Sequence, residues 1–226
     1  MTEALPGLPV SQAYLLVGRA TRLPGKFLMP IGGEPIIARE VRRLREAGLT
    51  VSAVTVGALH LPELPVLIDR YDAGPLGGLA TILATTHDPF FLFGADMPFV
   101  EPAAVRHMVR EFDGRTLIPR NSHGHNEVLH AVYANVTAEV VGRLLREGRG
   151  LNDLVSVLAS KGAVRFLPPG AIPPRSFVDV DTSEEYARWV DAPPADRNGR
   201  RRSKGLGAAS RDGSPAARVE DEKMRP

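Results

Sequence analysis

Residues 13–48, AYLLVGRATRLPGKFLMPIGGEPIIAREVRRLREAG, decide the fold class. AYLLVG (13–18) is a short apolar run that ends in glycine, the pattern of a buried strand and a turn. Residues 19–33 are rich in Gly, Pro and basic side chains and read as a long functional loop. Pro35 then opens an amphipathic helix. Its apolar residues Ile36, Ile37, Val41 and Leu44 recur at helical spacing, and Gly48 marks its end.

The same alternation continues outward. VSAVTVG (51–57) and PVLIDR (65–70) read as strands, GPLGGLATILATT (74–86) as a Gly-rich turn entering a helix, and PFFLFGADMPF (89–99) as a strongly apolar strand. A helix follows over 101–112, with Pro102 in its first turn. TLIPR (116–120) and EVLHAVYA (127–134) read as strands, and 136–148 and 151–162 as helices. VRFLP (164–168) and SFVDVD (176–181) end the sheet, and a closing helix over 182–190 takes Thr182 as its N-cap. Alternating strands and helices predict a three-layer α/β fold, a mostly parallel sheet with helices on both faces. Right-handed crossovers put the ligand cleft at the carboxyl ends of the strands.

Composition narrows the function classes. The 226 residues are 43% hydrophobic and contain no cysteine, so no disulfide, thiolate metal site or cysteine nucleophile is available. No stretch approaches the roughly 18–20 apolar residues of a membrane span. The start, MTEALPGLPVSQ, lacks the marks of a signal peptide. A cytoplasmic location is expected. The net charge of +2 is unevenly placed: residues 191–226 hold nine Lys/Arg and six Asp/Glu, leaving residues 1–190 slightly acidic. One domain over 1–190 and a disordered basic tail over 191–226 are expected. The domain is not a nucleic-acid binder by charge.

Four segments can carry chemistry. The loop after the first strand pairs Gly18, where backbone can approach closely, with Arg19, Arg22 and Lys26, which suits a triphosphate. The GxxxxGK[ST] spacing of a Walker loop is absent. Asp96 ends the apolar strand, where a carboxylate can hold Mg²⁺ against phosphate oxygens; a helix cap is the alternative. Asp179 and Asp181 alternate with Val178 and Val180 and share one face if the segment is a strand; acidic residues before a helix are the alternative. Asp69 and Asp72 precede Gly74, Gly77 and Gly78, at a junction that could admit a base and ribose or merely pack a helix tightly. His123, His125 and His130 lack an HExxH spacing, and no GxSxG serine motif occurs.

The order of these segments resembles the molybdenum cofactor guanylyltransferase family, a branch of the Rossmann-like nucleotidyltransferases. The resemblance covers roughly residues 13–190. LLVGRATRLPGKFLMPIGGEPII (15–37) is similar to the family's opening signature, LIDRYDAGPLGGL (67–79) to its base-and-ribose segment, and LFGADMPFV (92–100) to its magnesium motif. NEVLHAVY (126–133) is similar to the acceptor-side segment and FVDVDTSEEY (177–186) to the ending. Gly57 stands where the family has a base-contacting Asn, and Pro24-Gly25-Lys26 shortens the family's Gly-x-Asp-Lys step.

The resemblance implies transfer of GMP from GTP to molybdopterin, giving a guanine dinucleotide cofactor and pyrophosphate, with Mg²⁺. It implies catalytic roles for Lys26, Arg22 and Asp96. Nucleotide binding falls to Val17, Gly18, Arg19, Lys26, Asp69, Gly74, Gly77 and Gly78, and metal binding to Asp96 and Asp181. Alternatives are CTP as donor, another phosphorylated acceptor such as phospholactate or a sugar phosphate, and a non-catalytic nucleotide-binding module. Membrane and specific nucleic-acid partners are not expected.

Overall fold

The computed structural model describes residues 9–19, 22–57, 64–134 and 136–190. The tail expected to be disordered, 191–226, lies outside the described residues, and those residues fall within one unit that spans Met1–Pro193. β1 (Gln12–Val17) leads through a 3₁₀ turn (Lys26–Leu28) and a small hairpin, β2 (Pro30–Ile31) and β3 (Glu34–Pro35), into α1 (Ile36–Glu46). There follow β4 (Thr50–Thr55), β5 (Val66–Ile68), α2 (Gly74–Leu83), β6 (Phe90–Gly94) and α3 (Pro102–Glu111). The second half comprises β7 (Thr116–Pro119), β8 (His130–Tyr133), α4 (Ala138–Arg146), α5 (Leu151–Ser160), β9 (Val164–Leu167), a second 3₁₀ turn (Pro174–Phe177) and α6 (Ser183–Trp189).

Seven strands form one sheet in the order β5-β4-β1-β6-β8-β7-β9. All neighbouring pairs are parallel except those of β8, which runs antiparallel to β6 and β7. The expected mostly parallel sheet is therefore present. Strand pleating sorts the side chains. Ala13, Leu15 and Val17 of β1 join Phe91 and Phe93 of β6 beneath α1 and α3. Tyr14 and the alternate residues Phe90 and Leu92 face the opposite way, against α2, α4 and α5. Two cores on two faces make the three layers. Among the described residues no helix is long and apolar enough to cross a membrane.

Two strand expectations need correction. The apolar run 89–99 is a strand only over Phe90–Gly94; from Ala95 the chain turns along the carboxyl edge, where the Ala95 N–H donates to the Leu16 carbonyl at 3.0 Å. SFVDVD is not a sheet strand. It leaves the second 3₁₀ turn in extended form, and the Val180 N–H donates to the Asp96 carbonyl at 2.9 Å, past the end of β6. The segment thus crosses the carboxyl ends of the strands and brings Asp181 to the cleft. A third, smaller core holds it there: Val180 packs with Leu23, Ile31, Ile36 and Phe99, and the ring of Trp189 of α6 lies tilted against Phe99 at 4.5 Å between centroids.

Candidate active site

The cleft opens at the carboxyl ends of β1 and β6, where an α/β sheet exposes backbone and loops to a ligand. Its cavity has a volume of about 210 Å³ and is lined by Leu16, Gly18, Arg19, Arg22, Lys26, Phe27, Ala95, Asp96 and Asp181. A side chain at Gly18 would meet open space, so its backbone borders the cavity with nothing in front of it. Val17 is the last residue of β1 and is buried under α1, one position before the opening.

Lys26 is the hub. Gly25 adopts φ 71°, a left-handed conformation that favours glycine, and this starts the 3₁₀ turn that carries Lys26 inward. Lys26 Nζ donates to Asp181 Oδ1 at 2.6 Å and to Asp96 Oδ2 at 3.2 Å. Its side chain is 9% exposed. Burial pulls its pKa down, but Asp96 and Asp181 outweigh that effect and hold it above the ordinary lysine value. Arg22 lies 3.5 Å from Asp181 Oδ2, and Arg19 pairs with Asp72 across the mouth. Two carboxylates and three cations thus converge on one cavity, although they come from three distant parts of the chain.

Asp181 is fixed by a neighbour that sequence reading passed over. Glu185 Oε2 accepts from the backbone N–H of Asp181 at 2.9 Å and of Thr182 at 3.0 Å, while Thr182 Oγ1 accepts from the Glu185 N–H at 3.2 Å. This is a capping box, and its signal was present in the spacing T-S-E-E. Thr182 is the N-cap of α6 as expected. Asp96 has an overlooked neighbour as well. A Cβ at Gly94 would stand 3.0 Å from Asp96 Oδ1, so the Asp96 carboxylate folds back over a position that has no side chain. Asp179 is exposed and does not line the cavity; burial of part of its carboxyl, then Asp96 and Asp181, raise its pKa.

The base-and-ribose candidates stand apart from the cavity. Asp69 is buried, and its Oδ1 accepts from the Tyr71 N–H at 2.9 Å and from Thr81 Oγ1 at 3.0 Å, which ties the end of β5 to α2. A Cβ at Gly77 would press on Asp69 Oδ2 at 3.2 Å, and one at Gly78 would meet Leu16 Cδ2 at 2.8 Å. Both glycines let α2 pack closely. Gly74, with φ 61°, starts the helix, and a side chain there would meet open space. The Arg19–Asp72 pair links this turn to the phosphate-side loop.

The donor set available to a cation is Asp96 and Asp181, two hard oxygen ligands beside an open cavity. That set suits Mg²⁺, which commonly takes one or two carboxylates and completes its shell with water and phosphate. Among the described residues no cluster of three or more His, Cys, Asp and Glu is arranged to hold a metal by itself. His123 and His125 sit on an exposed loop, and His130 is buried among Phe91, Phe93 and Phe177.

Comparison with known proteins identifies the family. A probable molybdenum cofactor guanylyltransferase of Pyrococcus horikoshii is 30% identical over 148 residues, covering 61% of this chain and 76% of the relative. The molybdenum cofactor guanylyltransferase of Xanthomonas euvesicatoria is 27% identical over 199 residues, covering 82% of this chain and 97% of the relative. The solved structure of molybdopterin-guanine dinucleotide biosynthesis protein A from Archaeoglobus fulgidus superposes with a TM-score of 0.61 at 19% identity, over 79% of this chain and 96% of that one. The family model described as the MobA-like NTP transferase domain matches residues 14–163. That match takes in both the Lys26 loop and Asp96 and spans more than half of the sequence, so the chain belongs to the MobA-like NTP transferase domain family and is a nucleotidyltransferase.

Proposed function

We propose that the chain transfers GMP from GTP to molybdopterin, forming a guanine dinucleotide cofactor and releasing pyrophosphate. The observation that carries the reading is the Lys26–Asp96–Asp181 constellation at the mouth of a cavity fringed by Arg19 and Arg22. The relatives' names supply the substrates. The reading includes a cytoplasmic location, where the triphosphate donor is held.

In this reaction an oxygen of the acceptor's phosphate attacks the α-phosphorus of GTP in line with the α–β bridging oxygen. The new P–O bond forms as the α–β anhydride bond breaks, and its electron pair leaves with pyrophosphate. The acceptor phosphate is already ionised at neutral pH, so no side chain has to remove a proton. What the protein must supply is positioning and charge stabilisation. Lys26, kept cationic by its two carboxylates, faces the charge that develops on the phosphates. Arg22 and Arg19 neutralise the outer phosphates from the rim. Asp96 and Asp181 would hold Mg²⁺, which supplies Lewis-acid neutralisation of phosphate oxygens. Gly18 lets the backbone approach the triphosphate. The base lies toward the Asp69–Gly74 turn, and Asp69 acts by holding that turn in shape.

The test is pyrophosphate release by purified protein with Mg²⁺, molybdopterin and each of the four common nucleoside triphosphates in turn. Release with GTP alone is expected. Release with CTP alone reassigns the donor and points to Gly57. Release with none, despite nucleotide binding by calorimetry, directs the search to another phosphorylated acceptor.

A further inference from the structure

The Lys26–Asp181 ion pair joins two segments that are far apart in the chain, and α6 is where those segments are fastened together. α6 has no fully buried residue, so it is held by side chains at its margins rather than by a core of its own. Asp181 is tied to its first turn. The Asp181 N–H donates to Glu185 Oε2 at 2.9 Å, and the Tyr186 N–H donates to the Thr182 carbonyl at 2.9 Å. Where α6 sits therefore decides where Asp181 sits.

Lys26 hangs on the β2–β3 hairpin. The Met29 N–H donates to the Lys26 carbonyl at 3.0 Å, and the Met29 carbonyl accepts from the N–H of Ile36, the first residue of α1, at 3.0 Å. The base of the hairpin thus fixes the 3₁₀ turn that carries Lys26 inward. The two segments also meet through Val180, Leu23, Ile31 and Phe99. That packing is non-directional and does not set how one segment lies along the other.

The Tyr186 hydroxyl supplies the direction. Pro30 pairs with Pro35 across the hairpin, and a proline has no N–H to give, so the Pro30 carbonyl receives nothing from the residue opposite. Among the described residues the hairpin is a sheet of two strands, so no third strand takes that carbonyl from outside. Tyr186 Oη donates to it at 2.7 Å. At the far end of α6 the Gly32 N–H donates to the Val190 carbonyl at 3.3 Å. Both bonds run between α6 and the hairpin.

We infer that Tyr186 is a positioning residue, whose hydroxyl, seated on the Pro30 carbonyl, fixes α6 against the hairpin and so sets the spacing between Asp181 and Lys26. Its importance for catalysis rests on the reading of Asp181 as a metal ligand beside the Lys26 ammonium. Tyr186 itself does not line the cavity.

Tyr186→Phe in the full chain tests it, because it removes the hydroxyl and keeps the ring that packs on the third core. The first readout is amide hydrogen exchange at Val180, whose N–H holds the Asp181 segment to the Asp96 carbonyl. It needs no ligand. Exchange about fivefold faster is expected, the effect of one lost hydrogen bond on a local opening, with the β1 amides unchanged. The second readout is the Mg²⁺ concentration for half-maximal turnover, expected to rise about tenfold. A smaller folded fraction lowers the rate but leaves that concentration where it was, so damage to the fold does not imitate the effect. Unchanged Val180 exchange overturns the inference. So does faster exchange shared equally by the β1 amides, which marks a general loss of stability. So does an unmoved Mg²⁺ requirement in a variant whose parent depends on Mg²⁺. Faster Val180 exchange in a variant whose parent shows no divalent-ion dependence supports the positioning and counts instead against Asp181 as a metal ligand.

Discussion

At the scale of single residues, Lys26 decides how the site behaves. It is one cation shared by two carboxylates, so its removal leaves only the more distant Arg22, on Asp181, to offset their charge. Lys26→Met should lower kcat by about 10²–10³-fold, the usual cost of one electrostatic stabiliser, with circular dichroism unchanged. Asp96→Ala should abolish turnover in a protein that still folds; full activity would remove Asp96 from the chemistry. Gly94→Ala is the subtler test. Its Cβ would stand 3.0 Å from Asp96 Oδ1 and 3.2 Å from Met97 Cε. Steady-state kinetics should give a kcat loss of at least about tenfold, one factor of ten being about 1.4 kcal/mol of displaced interaction. Much of this was legible beforehand. An Asp after an apolar strand and a Lys after a Gly/Pro loop announce themselves by type and place. Gly94 did not, because nothing in FGAD says that the carboxylate doubles back over the glycine two residues earlier. Glu185 was legible by its capping-box spacing and passed over, because the spacing says nothing of the cavity beside Asp181.

At the scale of elements, local pattern located β1 and β4 by their apolar runs, α1 by its apolar spacing, α2 by its Gly-rich start and α6 by its N-cap threonine. It failed for 176–181. Alternating Asp and Val is a strand pattern, but Val180 buries itself in the small third core rather than in a ladder, and its N–H finds the Asp96 carbonyl beyond the sheet. The antiparallel insertion of β8 between β6 and β7 was equally hidden, since strand order is set by long-range pairing and not by local pattern. The α2 contact gives an element-level prediction. Gly78 packs on Leu16 and Val54 from β1 and β4, and Leu16 also lines the cavity. A Cβ at 2.8 Å from Leu16 Cδ2 strikes the flexible end of that side chain. Gly78→Ala should therefore cost only about 1 kcal/mol of stability but push Leu16 into the cleft. The KM for the nucleotide should rise several-fold while kcat moves little; an unchanged KM in initial-rate measurements would show that α2 and the cleft are uncoupled.

At the scale of the whole molecule, two buried ionisable groups set opposite limits on stability with pH. His130, on β8, is enclosed by Phe91, Phe93 and Phe177, with neither ring nitrogen hydrogen-bonded among the described residues. Burial depresses its pKa to about 3. An unfolded chain binds that proton near pH 6.5, so below this value the unfolded state takes up a proton that the native state refuses. The stability from the neutral ring is complete above pH 6.5 and drains away as pH falls toward 3, by about 1.4 kcal/mol per unit. Glu40 works the other way. Its pKa is raised in the fold, so the native state keeps a proton that the unfolded chain has lost above about 4.5. Its destabilising effect is absent in acid and grows as pH rises from that value toward its raised pKa. The two effects overlap between about pH 4.5 and 6.5, where the parent's stability should show a muted pH dependence from these groups. Replacing one of them should expose the other. Urea unfolding from pH 4.5 to 8 should find that His130→Phe loses the acid-side decline, about 2 kcal/mol between pH 6.5 and 5. Glu40→Gln should become more stable relative to the parent as pH rises and steepen the acid decline that His130 causes. Parallel pH curves for the parent and both variants would mean that neither group titrates on unfolding, and that water reaches both interiors.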